Sequence, residues 1–146
     1  MPFWVAQAVF LALTFAALAA ATALFARDAP RRWRFALSMA LCPAAAITVC
    51  LGQNAFLTAA LLIGGFGLAE RRPLLGGALL GLLTVKPQLC IMVPVALVAL
   101  RQWRMLGAAA ASALLLMSAS VALFGLEPWR AWIDLMSGGS ALYRKW

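Results

Sequence analysis

The chain has 146 residues, 66% hydrophobic and 11% charged, with a mean hydropathy of +0.97. Soluble domains are about 45–50% apolar and about 25% charged, so this chain lacks the polar surface of a water-soluble globule and is far too apolar for a disordered one. The net charge is +8, yet the basic residues sit in short clusters between apolar runs, as membrane loops do, and not along one face that nucleic acid would need.

Histidine is absent, which excludes a His-based metal site, a Ser-His-Asp triad and a Cys-His pair within this chain. The expected fold class is all-α. It is a polytopic transmembrane bundle of about five or six membrane segments plus an interfacial helix, in one domain, 1–146.

In chain order, 4–26 is an uncharged run about 35 Å long as a helix, enough to span. It is too long for the apolar core of a signal peptide and has no basic region before it. Arg27, Arg31, Arg32 and Arg34 follow, which puts this loop in the cytoplasm and the N-terminus outside. The next uncharged run is too long for one span and breaks at Gly52-Gln53-Asn54, giving arms 35–51 and 55–69, with Pro43 expected to kink the first. Glu70-Arg71-Arg72-Pro73 then returns to the cytoplasmic side.

The run from Leu74 to Leu100 contains one charge, Lys86, followed by Pro87 and Gln88. It reads either as one tilted span or as two short arms, 74–85 and 89–100. The hairpin is preferred, because Pro87 removes a helix hydrogen bond and a lysine at the bilayer centre costs roughly 2.5–3.5 kcal/mol on insertion scales. Its tip would be recessed below the outer surface, and irregular backbone there is tolerated only in protein or beside a cavity. A turn at Arg101–Arg104, a last span at 105–124 and an interfacial helix at 128–137, anchored by Trp129 and Trp132, complete the pass. Cys42 and Cys50 would lie about 12 Å apart on one helix, too far for a disulfide, and the three cysteines are expected as buried apolar thiols. Gly77 and Gly81 form a GxxxG pair, read as close helix packing.

Two polar motifs interrupt these runs. Gly52-Gln53-Asn54 offers uncharged amides suited to sugar hydroxyls or phosphate oxygens, or is simply a polar hairpin turn. Lys86-Pro87-Gln88 places a cation in a low-dielectric site as an anion anchor, or is a lysine that snorkels to the interface. In the hairpin topology both motifs fall on the outer side, an arrangement suited to a lipid phosphate with a polar head.

The ordered series LGQNAFLTAALL, ERRPLLGGALLGLLTVKPQ and PVALVALRQWR resembles the middle of the glycosyltransferase family 87 proteins over about residues 42–133. The resemblance implies a GT-C fold and transfer of a hexosyl, chiefly mannosyl, group from a polyprenyl-phosphate sugar to an extracytoplasmic acceptor. It implies a multi-pass protein of the bacterial cytoplasmic membrane, with membrane lipids as neighbours and no cofactor. Lys86 matches the motif lysine and is implied to pair with the donor phosphate; Gln53, Asn54 and Gln88 match motif amides that contact donor or acceptor. The catalytic base of GT-C enzymes is an acid in the first large outer loop, and none of Asp28, Glu70, Glu127 or Asp134 matches it. Family members are also much longer chains. The resemblance therefore implies a central segment whose catalytic acid comes from elsewhere, including a complementary chain. The competing classes are a small transporter-like protein, which would need paired intramembrane charges, and a non-catalytic membrane scaffold.

Overall fold

The computed structural model describes residues 2–25, 34, 38 and 41–138. Among these residues there are helices and turns and no strand. The expected basic cluster at Arg27, Arg31 and Arg32, with Asp28, most of the arm before Leu41 and the C-terminal Tyr143–Trp146, lies outside the described residues. The chain divides into two compact units, Met1–Ala113 and Leu114–Trp146.

The first unit contains α1 (Phe3–Phe25), α2 (Pro43–Leu51), α3 (Ala55–Gly67), α4 (Pro73–Gly81), a 3-10 turn (Leu82–Val85), α5 (Pro87–Ala99) and the start of α6 (Trp103–Phe124). Proline opens three of these helices, Pro43, Pro73 and Pro87. Its φ suits the first helical turn, where the missing N–H costs nothing. Pro43 thus starts α2 after Cys42; most of the stretch before Leu41, in the arm that it was expected to kink, lies outside the described residues. α2 ends at Gly52, whose φ of 62° is left-handed. Its N–H donates to Val49, and that of Gln53 to the Thr48 carbonyl at 3.1 Å, closing the helix end.

Packing fixes the directions. Phe15 of α1 meets Phe56 of α3 edge-on, with ring centroids 5.4 Å apart, and Ala21 lies near Gly64. The two helices therefore run parallel, with Leu18, Ala21, Ala45, Phe56 and Ala60 buried among α1, α2 and α3. α4 returns antiparallel to α3: a Cβ at Gly76 would lie 2.5 Å from the Gly65 carbonyl, and one at Gly64 would lie 3.6 Å from Leu79. On its other side, α4 sets Gly77 against Met105 and Ala108, and Gly81 against Ala109 and Ser112. This is the close approach that small residues permit, and it shows α4 and α6 running in the same direction.

α5 joins the far end of α4 to the start of α6, so it must run back between them. Leu80, Leu83, Val93, Leu97, Met105 and Ala109 form the second buried cluster around this return. The segment from Pro73 to Ala99 is therefore a hairpin and not one span.

The outside of the unit is apolar. Phe3, Trp4, Leu13 and Leu24 of α1 are 66–76% exposed. A soluble protein rarely leaves large apolar side chains exposed all round one helix, whereas lipid accepts them. α1 and α6 are the two helices among the described residues that are long and apolar enough to cross a membrane. The three cysteines follow the same logic: Cys42, Cys50 and Cys90 are free and exposed, not buried as expected. Cysteine's preference for the interior is a preference for apolar surroundings, and here the exterior is apolar too.

In the second unit, α6 ends at Gly125, with φ 75°. α7 (Glu127–Gly138) follows, with Trp132 and Ile133 exposed and Trp129 half-buried.

Candidate functional site

The turn between α2 and α3 carries Gly52, Gln53 and Asn54. Gln53 is exposed and Asn54 half-buried. The Asn54 carbonyl accepts from both the N–H and the hydroxyl of Thr58, each at 3.1 Å, so the backbone here is fixed by the start of α3. A third carboxamide reaches this turn from a distant part of the chain. A Cβ placed on Gly52 would lie 3.1 Å from Nε2 of Gln7 and 3.6 Å from its Cδ. Sequence reasoning passed over Gln7 because a single amide in an apolar run carries no local signal. The clue was its cost: a carboxamide in an otherwise apolar helix needs a polar neighbour once it leaves water.

The second turn carries Lys86. Its backbone is extended, at φ −121° and ψ 102°, because the residue before a proline is driven out of the helical region. Its N–H donates to Leu83 at 2.9 Å, and its carbonyl accepts from Leu89 and Cys90 at 3.0 and 3.1 Å. Lys86 is half-buried and Gln88 exposed. Among the described residues the Lys86 ammonium has no ion-pair partner.

α3 and the α4 hairpin arm place the two turns at one end of the first unit. Both start from the Glu70–Pro73 turn, and each rises about 20 Å. The pairing of Gly65 with Gly76 and of Gly64 with Leu79, continued along the arm, sets Lys86 about one helical turn short of Asn54. Gln53, Asn54, Lys86 and Gln88 are thus brought to the same end, joined there by Gln7. Glu70, Arg71 and Arg72 lie at the opposite end and are exposed.

Of the acids in the first unit, Glu70 is at the wrong end and Asp28 lies outside the described residues; in the second unit, Glu127 pairs with Arg130 at 3.3 Å. No group of metal-ligating side chains occurs among the described residues.

A model of glycosyltransferase family 87 matches residues 1–144. The chain belongs to that family. The match reaches well beyond the stretch of about residues 42–133 that carries the sequence resemblance, and takes in α1 with Gln7. No curated protein and no solved structure matches the chain. Family 87 membership makes the protein a glycosyltransferase by class, and with the two long apolar helices it points to a membrane protein.

Proposed function

We propose that this family 87 chain binds a polyprenyl-phosphate hexose, chiefly mannose, and contributes the leaving-group side of an inverting transfer to an extracytoplasmic acceptor. The setting is a multi-pass GT-C protein in the bacterial cytoplasmic membrane. The observation that carries the reading is the return of α5, which leaves Lys86, without an ion-pair partner among the described residues, at the same end as the carboxamides of Gln53, Asn54, Gln88 and Gln7. A cation and a set of neutral amides match a phosphate joined to a sugar: the ammonium attracts the anion, and amides donate to and accept from hydroxyls.

The reaction proceeds by direct displacement. A carboxylate supplied from outside this constellation, on another segment or a complementary chain, acts as the base and takes the proton of the acceptor hydroxyl. The acceptor oxygen forms its bond to the anomeric carbon as the bond from that carbon to the phosphate oxygen breaks. The electron pair leaves on the polyprenyl phosphate. Charge grows on that oxygen in the transition state, and a cation placed there in a low-dielectric site lowers the barrier. Lys86 has this role, while Gln53, Asn54 and Gln88 hold donor or acceptor.

Replacing Lys86 by alanine in the complete enzyme is expected to lower turnover by about 100-fold or more, the scale seen when one such stabilising group is removed, with helix content and thermal midpoint unchanged. Radiolabelled sugar transfer from the lipid donor measures it. Wild-type turnover and donor affinity in that variant would remove Lys86 from the site.

A further inference from the structure

We propose that Gln7 is a sugar-binding residue, a third carboxamide that holds hydroxyls of the transferred hexose. This deepens the glycosyl-transfer reading above and rests on it. The argument begins with where Gln7 is. It sits just over one turn into α1, between Ala6 and Ala8, in a helix that is otherwise apolar apart from two threonines. Thr14 and Thr22 spend their hydroxyls on their own helix, donating to Phe10 at 2.8 Å and to Ala19 at 2.9 Å. Gln7 does not: its carboxamide forms no hydrogen bond among the described residues.

The side chain is instead laid over the backbone of Gly52, in space that a Cβ would contest. Glycine is needed at position 52 for its left-handed φ, and its bare Cα also leaves the space that the Gln7 amide occupies. The parallel packing of α1 on α3, from Phe15–Phe56 to Ala21–Gly64, fixes the height of Gln7 at the turn. A carboxamide offers two N–H donors and an acceptor oxygen without charge. That suits hydroxyls, each both donor and acceptor, better than a phosphate. The two turns therefore divide the ligand: Lys86 takes the anion and the carboxamides of Gln7, Gln53 and Asn54 take the sugar.

This division predicts a selectivity that a purely structural glutamine would not affect. The full chain in lipid nanodiscs is titrated with two probes, a short polyprenyl-phosphate mannose and the same polyprenyl phosphate without sugar. Gln7→Leu is expected to weaken the sugar-bearing probe about tenfold, the scale of one lost hydrogen bond with its partner left unpaired, and to leave the bare phosphate unchanged. Gln7→Asn keeps a polar group and withdraws it by one carbon, so it tests the same point should the leucine variant misfold; the same selective loss is expected. Equal loss on both probes, or wild-type selectivity in both variants, overturns the role of Gln7 while leaving the glycosyl-transfer reading intact. Wild-type protein that binds neither probe overturns that reading and this inference with it.

Discussion

α3 packs against α1 on one side and α4 on the other, and the two seams are built differently. Against α4, Gly65 and Gly76 face one another so closely that a methyl group at Gly65 would meet the Leu80 side chain at 2.6 Å. The next seam out, α4 on α6, is tighter still, with Gly77 and Gly81 lying on the backbone of Met105 and Ala109. Against α1, small residues leave room instead. A cleft of about 380 Å³ runs between α1 and α3, lined by Ala17, Ala20, Leu24, Gly64, Gly67 and Arg71 among others. A second of about 640 Å³ opens between α1 and α2 beside Leu11, Phe15, Cys42 and Val49. Small residues thus lie at both seams: at one, glycines let backbones touch, and at the other, alanines and glycines line a groove. Lys86 hangs from the closed side and Gln7 from the open one.

Three substitutions sharpen this contrast. Gly81→Val drives two methyl groups into the Ala109 carbonyl and Ser112 hydroxyl and is expected to cost about 3 kcal/mol or more, read as loss of folded protein in a detergent unfolding titration. Ser112→Ala removes the hydroxyl that donates to the Ala78 carbonyl at 2.9 Å across the same seam. Interhelical bonds of this kind average about 0.6 kcal/mol in membranes, and the same titration should show a loss of that size. Ala20→Leu points into the α1–α3 cleft and is expected to stay within about 0.5 kcal/mol of wild type. A large loss there, or a small one at Gly81, would erase the distinction between the seams.

Much of the helical class was legible because the breaks are written in residues with strong backbone preferences. Gly52, Pro73 and Pro87 punctuate runs that are otherwise uniformly apolar. The lysine and the amides stood out for the same reason, as polar groups in a segment that cannot solvate them. Their shared end was harder to read. It depends on the sign of two packing contacts, Gly77 with Met105 and Gly65 with Gly76, and no local pattern encodes which helix lies beside which. The link between Gln7 and Gly52 spans 45 positions and joins α1 to the turn after α2. Composition misled at the cysteines, which lie exposed on an apolar surface, where the usual preference for the interior does not decide burial.

The turn from α5 to α6 places Arg101 at a φ of 54°, the left-handed conformation that glycine adopts freely. The N–H groups of Arg101 and Gln102 close the end of α5 on the Val98 and Leu97 carbonyls, so the conformation is required by the turn and not incidental to it. For an arginine this geometry costs roughly 1–2 kcal/mol. The strained turn leaves the Arg101 side chain exposed, so the stability given up in the backbone adds one more cation to the end of the unit that already carries Arg71 and Arg72.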